Sequence, residues 1–167
     1  KLLPIRIVGV NPSGNAGLYT LESVKMALDW VVANQAKYNI AVVNISQGRV
    51  FANCKVPAGM VEQVAKLKAL NVAVVSAAGN DGNKNAINSP ACIDDVVAVG
   101  ATDNPWPGME QIAWDSKAAP AIARYSNLSS AVDVYANGRW FVTNANGTTK
   151  FMAGTSNAAA SISGWWL

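Results

Sequence analysis

Ser156 is the residue best placed to do chemistry. It stands in the run Gly154-Thr155-Ser156-Asn157-Ala158-Ala159-Ala160-Ser161. The residues before Gly154 have strand character, and Gly154 permits a sharp turn. The Ala-rich run that follows reads as a helix, because Ala is the best helix former. Ser156 therefore falls at or near a helix N-terminus. There, unpaired N–H groups and the positive end of the helix dipole favour developing negative charge. A serine in that place suits an acyl-transfer nucleophile. Thr155 and Ser156 equally suit plain helix caps, for which Ser and Thr are preferred. The helix is apolar on most sides and is followed by Trp165, Trp166 and Leu167, the pattern of a buried helix.

The elements that must position this serine read as an alternation. A short buried strand is expected over residues 2–10, then a loop over 11–17. Thr20 can cap a helix in which Leu21, Val24, Leu28 and Val31 recur at helical spacing and which ends between residues 34 and 39. Residues 40–46 are a β-branched run that reads as a central strand. Pro57 fits the first turn of a second helix, whose apolar stripe is Met60, Val64 and Leu67. Residues 72–78 and 96–102 are two more buried strands. Strand, helix, strand, helix, strand implies a parallel sheet with crossover helices. Residues 104–120, with three prolines and two tryptophans, read as a surface excursion. Residues 124–130, 132–135 and 140–143 are short strand or loop pieces, and Asn146-Gly147 is a tight turn.

Composition sets the class. Of 167 residues, 51% are hydrophobic and 14% charged, which is enough apolar matter for one packed domain. The net charge of +3 comes with no basic cluster, so no nucleic-acid footprint is expected. No apolar run reaches membrane-spanning length, so no membrane partner is expected. The opening residues have no Met and no polar lead-in, as in a piece of a longer chain. Cys54 and Cys92 each lie in a connection and not in a strand or helix. That setting predicts a disulfide and an oxidising compartment, hence a secreted, extracellular protein. With no histidine and two cysteines, the chain offers no zinc ligand set.

Parallel α/β sheets bind ligands beyond the carboxyl ends of their strands. Ser46-Gln47-Gly48, Ala77-Ala78-Gly79-Asn80 and Gly154-Thr155-Ser156 all fall at such ends. In this order they resemble the subtilisin-like serine peptidases. Ser89-Pro90-Ala91 with residues 96–103, Ala123-Arg124-Tyr125-Ser126-Asn127 and residues 132–138 resemble further segments of that family, so the likeness covers nearly the whole chain. The resemblance implies a three-layer α/β/α fold with a mostly parallel sheet, here without its N-terminal strands. It implies a serine endopeptidase acting on a peptide or protein substrate. Ser156 would be the nucleophile, and the Asn80 amide, with the Ser156 N–H, would hold the oxyanion. Ser46, Gln47 and Gly48 would pair with an extended substrate. Ala77, Ala78 and Gly79 would wall the pocket for the residue before the scissile bond.

The same resemblance exposes what is missing. The family triad is Asp, His and Ser in chain order, and this chain contains no histidine. Residues 1–8 resemble the segment just after the family's histidine-bearing helix. A companion segment carrying the Asp and His is therefore expected, and the 167 residues alone are expected to be inactive. The alternative is a non-catalytic protein that keeps the peptide groove. The related sedolisins use Glu and Asp in place of His, but they carry Asp where this chain has Asn80. Glu22 and Asp29 read as the solvated face of a helix. Ala160 and Asn137 stand where the family favours Pro, and Ser161 where His is frequent. No cofactor is required. Calcium is possible as a structural ion, with Asp81, Asp94, Asp95 and Asp103 as candidate carboxylates. Sequons occur at Asn44, Asn127 and Asn146.

Overall fold

A computed structural model describes residues 1–9, 17, 19–51, 53–103 and 121–167. The loop expected over 11–17 lies outside these residues except for Gly17, and the excursion over 104–120 lies wholly outside them.

The first helix, α1 (Leu21–Tyr38), starts where the sequence places its cap. The Thr20 hydroxyl accepts the Ser23 N–H at 3.1 Å, and Asn39 closes the helix in the left-handed conformation. Two short strands follow, β1 (Val42–Ile45) and β2 (Arg49–Val50). The second helix, α2 (Met60–Ala69), begins later than Pro57 suggests. Its N-cap is Gly59 at φ 82°, and the Pro57 carbonyl accepts the Met60 N–H in the turn before the helix. Then come β3 (Ala73–Ala77), β4 (Asn88–Ser89), β5 (Val97–Asp103), β6 (Ala121–Ile122), β7 (Val134–Asn137), β8 (Arg139–Thr143) and β9 (Thr149–Ala153). The chain closes with α3 (Thr155–Trp165).

The main sheet runs β1-β3-β5-β6, with β7 also on β5. Pairs β1–β3, β3–β5 and β5–β7 are parallel, and the short β6 is antiparallel. Alternation along each strand sends side chains to opposite faces and so builds two cores. On one face, Ile45 and Val74 pack with Val24, Leu28 and Val31 of α1 and with Met60, Val64 and Leu67 of α2. On the other, Val75, Ala77, Val99 and Ala101 pack against Ala158 and Ala159 of α3, whose small side chains bring the helix close to the sheet. Helices thus cover both faces, and each large aliphatic chain fully buried there contributes about 1.5–3 kcal/mol of transfer free energy. The structure has the α/β/α layering that the sequence implies.

Three expectations are corrected. Residues 2–9 form no strand and are mostly exposed. Pro4 lacks a ladder donor, and no described strand pairs with this segment. The run 40–46 is not central: among the described residues β1 bonds only to β3 and forms an edge. Helix α3 is buried on one face only, through Thr155, Ala158, Ala159 and Ser163. Ala160 and Gly164 are exposed, and Trp165 is 84% exposed.

The predicted disulfide is present. Cys54 and Cys92 are bridged across 38 residues with a Cα–Cα separation of 5.6 Å. The bridge ties the connection before α2 to the turn after β4.

Candidate active site

Helix α3 has no side-chain cap of its own. Gly154 is its N-cap residue, and Thr155 and Ser156 are its first two helical residues. The capping comes from across the molecule. The Thr155 N–H donates to Asn80 Oδ1 at 2.8 Å, and the Thr155 hydroxyl donates to the same oxygen at 2.9 Å. The Gly79 N–H in turn donates to Thr155 Oγ1 at 3.1 Å. The local cap reading of Thr155 and Ser156 therefore fails, since a distant asparagine supplies the acceptor.

This arrangement decides which way the Asn80 amide points. A backbone N–H can only donate, so the atom facing Thr155 must be the oxygen. With Oδ1 held by two donors, Nδ2 is left on the side of Gly154. The Asn80 Nδ2 and the Ser156 backbone nitrogen lie 3.3 and 3.8 Å from the point a Cβ on Gly154 would occupy. Neither donor has an acceptor among the described residues. Two unused N–H donors thus converge on one small space beside a serine hydroxyl. A pair of free N–H donors can bind a negatively charged oxygen.

The Ser156 hydroxyl donates to the Ser46 carbonyl at 3.0 Å, and the Ser46 hydroxyl returns a bond to the Ser156 carbonyl at 3.2 Å. The hydroxyl proton rests on a backbone oxygen, which is not a base at neutral pH. Among the described residues, no side chain that could act as a base touches Ser156 Oγ.

A single cleft of about 370 Å³ is lined by Ser46, Gln47, Gly48, Ala77, Gly79, Asn80, Asp81, Asn88, Thr155 and Ser156. It gathers seven of the eight residues singled out in sequence as a catalytic pair, a strand-pairing segment and a pocket wall, and adds Asp81, Asn88 and Thr155. Ala78 is the exception. It is fully buried behind the cleft, and its carbonyl accepts the Asn88 N–H and the Asn127 amide. The Gly48 carbonyl is also taken, by the Tyr19 hydroxyl.

Asn127 and Asn88 are the structural residues that sequence reasoning passed over. Asn127 is fully buried. Its Oδ1 accepts the Asp81 and Asn83 N–H groups, each at 3.0 Å, and its Nδ2 donates to the Ala78 carbonyl and to Asp81 Oδ2. It therefore moulds the loop that carries Asn80. Gly79 makes room for it: φ is 109°, and a Cβ would sit 2.2 Å from Asn127 Nδ2. The only sequence signal for this role was Asn127's place in the family-like segment. Its sequon is closed to a glycan in the folded state.

The candidate carboxylates do not converge. Asp95 pairs with Lys68 and Asp103 with Arg139, while Asp81 accepts from Asn127. Among the described residues no three Asp, Glu, Cys or His side chains cluster as a metal site. Asp29 pairs with Lys25 on the face of α1, and neither it nor Glu22 enters the cleft. Burial, reinforced by the nearby Asp103 charge, raises the Tyr125 phenol above its ordinary value. Among the described residues no helix is long and apolar enough to cross a membrane.

Comparison with known proteins places this geometry in context. Residues 1–166 match the Subtilase family. The chain is 28% identical over 164 residues to an alkaline serine protease of Corniculantispora psalliotae, covering 96% of this chain and 38% of that relative. It is 32% identical over 164 residues to a subtilisin-like protease of Coccidioides posadasii, covering 96% and 36%. Among solved structures it superposes on the prenylagaramide maturation protease PagA with a TM-score of 0.69 at 24% identity, covering 88% of this chain and 48% of the other. Sphericase gives the same TM-score at 20% identity, covering 89% and 49%. These two structures speak to the fold. The chain spans about a third to a half of the length of the curated relatives it matches.

Proposed function

The chain belongs to the subtilase family, and from that premise we propose that it is the nucleophile-bearing part of a secreted serine endopeptidase. The observation that carries the reading is the convergence of Asn80 Nδ2 and the Ser156 N–H beside the Ser156 hydroxyl, in a cleft that also holds Ser46-Gln47-Gly48. An extended peptide lies along residues 46–48, adding its backbone bonds as a strand would. Its side chain before the scissile bond enters between Gly48 and Gly79.

Ser156 Oγ attacks the peptide carbonyl carbon. The carbonyl oxygen becomes an oxyanion between the two N–H donors at the head of α3, where the helix dipole adds to their effect. The chain brings the oxyanion donors ready-made, and Thr155 holds one of them in place. It lacks the group that takes the Ser156 proton. A companion segment supplies the Asp and His, so the 167 residues alone bind a peptide and do not turn it over.

A second reading is supported by the lack of any histidine in the chain: a peptide-binding protein that keeps the groove without the chemistry. Fluorophosphonate labelling separates the two. The probe is applied to the 167-residue chain and to the native protein as isolated from its source, and each is read by intact mass. Labelling at Ser156 in the native protein, with none in the chain alone, is the expected result. No labelling in either sample, with peptide binding retained, would overturn the peptidase reading in favour of the binding one. Labelling of the isolated chain would show that a base other than His serves Ser156.

A further inference from the structure

The sequons at Asn44, Asn127 and Asn146 take no part in the chemistry above. An Asn-X-Ser/Thr triplet can accept an N-linked glycan. A glycan is bulky and hydrophilic, so a folded chain keeps one only where the asparagine amide reaches solvent and has no structural duty. The structure sorts the three by that criterion.

Asn127 fails it outright. It is fully buried, and both ends of its amide are bonded within the Asn80 loop. Asn44 is exposed but occupied. Its Nδ2 donates to the Ser46 hydroxyl at 2.9 Å, and its Oδ1 accepts the Ser163 hydroxyl at 3.0 Å, which ties β1 to α3. The same Ser46 hydroxyl is bonded to the Ser156 carbonyl. A sugar on Asn44 Nδ2 would crowd Ser46, which lines the cleft.

Asn146 meets the criterion. It lies in the turn between β8 and β9, where every residue from 141 to 150 is exposed. The turn closes on its own bonds: the Gly147 N–H donates to the Asn144 carbonyl and the Asn144 N–H to the Thr148 carbonyl, each at 2.9 Å. Gly147 has φ of 80°, and a Cβ there would meet nothing within 4 Å, so the space around the tip is open. The Asn146 Oδ1 accepts the Thr148 N–H at 3.0 Å, which holds the carbonyl end of the amide against the chain. Among the described residues, Asn146 Nδ2 and the Thr148 hydroxyl have no partner. The nitrogen that would carry a sugar is thus the unengaged end of the side chain.

We propose that Asn146 is an N-glycosylation site, and that it is the one of the three sequons that carries a glycan in the folded protein. Its Nδ2 bonds to C1 of the first sugar of a lipid-pyrophosphate-linked oligosaccharide. The bond from that carbon to the pyrophosphate oxygen breaks, the lipid pyrophosphate leaves, and the nitrogen gives up one proton. The assignment rests on the secreted reading above and not on the peptidase chemistry. It requires passage through an oxidising compartment, the kind that forms the Cys54–Cys92 bridge.

Trypsin, which cuts after Lys and Arg, places the three sequons in separate peptides, residues 38–49, 125–139 and 140–150. The test is peptide mass mapping of the native protein from the medium and from the cells of its source, before and after enzymatic glycan release in heavy-oxygen water. Release turns a glycosylated asparagine into an aspartate marked by one heavy oxygen. In protein from the medium, the mark is expected on the peptide 140–150 and on neither of the others. Thr148→Ala trims only an exposed side chain and should lose the mark completely, while Thr148→Ser should keep it. Protein in the medium with an unmarked 140–150 peptide would overturn the assignment and leave the secreted reading standing. Protein found only inside the cells, and unmarked, would overturn both. A mark at Asn44 or Asn127 would overturn the claim that the fold selects the hairpin tip.

Discussion

Replacing Thr155 with valine should destabilise the chain by about 1–3 kcal/mol, and the cause is a hydroxyl that works in two directions. Thr155 is fully buried. Its Oγ1 accepts the buried Gly79 N–H and donates to Asn80 Oδ1. Valine keeps the shape but can do neither. Losing the bond to Asn80 costs about 1 kcal/mol, and leaving the Gly79 N–H without an acceptor costs about 1–3 kcal/mol. The extra buried methyl offsets about 0.8 kcal/mol. Thr155→Ser is the control. It keeps both bonds and gives up one buried methyl, about 1 kcal/mol. Urea denaturation of the three proteins reads the difference. In a parallel thermal melt, a chain of this size loses about 2–4 °C of Tm per kcal/mol, so Val should melt about 2–12 °C lower and Ser about 2–4 °C lower. Should Thr155→Val prove as stable as Thr155→Ser, or more so, the claim that this hydroxyl anchors the Asn80 loop to α3 is wrong.

Other expectations follow from single contacts. Opening the Cys54–Cys92 bridge with paired Ser substitutions frees a loop of 38 residues; on the chain-entropy account this costs about 4 kcal/mol, measurable by denaturation with and without the bridge. Asn127→Ala removes the acceptor of two N–H groups and the donor to Ala78 and Asp81. A loss of at least about 3 kcal/mol is expected, together with faster amide exchange across residues 79–83. Tyr125 should titrate above the ordinary phenol value in an alkaline absorbance titration, because burial and Asp103 disfavour its phenolate. The sign follows from the raised folded value. The unfolded phenol deprotonates first, so this contribution to stability is intact below the unfolded value and is lost as pH rises toward the folded one.

Much of the fold and the site can be read from the residues alone, and the reason is local. Thr20 followed by Leu21, Val24, Leu28 and Val31 encodes both a cap and a face, and α1 forms as that pattern dictates. The β-branched runs around Val43, Val74 and Val99 encode buried strands, and their carboxyl ends carry Ser46, Ala77 and the approach to Asn80. Gly154 before an alanine run encodes a turn into a helix. Each of these signals is carried by neighbours within a turn or two, so sequence suffices. The two half-cystines were suggested by their setting in connections, and folding brings them within bonding distance.

What tertiary structure decided is every relation between distant residues that share a hydrogen bond. Thr155 and Ser156 look like caps in sequence, yet the cap is Asn80, 75 residues away. Asn127 reads as a sequon, yet it is the buried template of the Asn80 loop. Ala78 looks like a pocket wall beside Ala77 and Gly79, yet strand alternation and the turn at Gly79 put it behind the cleft. Asn88 carries no motif, and only folding brings it into the cleft lining beside Gly48 and Gly79. The β-branched run at 40–46 encodes a buried strand but not its place in the sheet, because strand order depends on which backbone donors find partners. Local spacing thus fixes which residues can serve, while long-range hydrogen bonding and packing decide which of them meet, since those energies exist only once the chain has closed on itself.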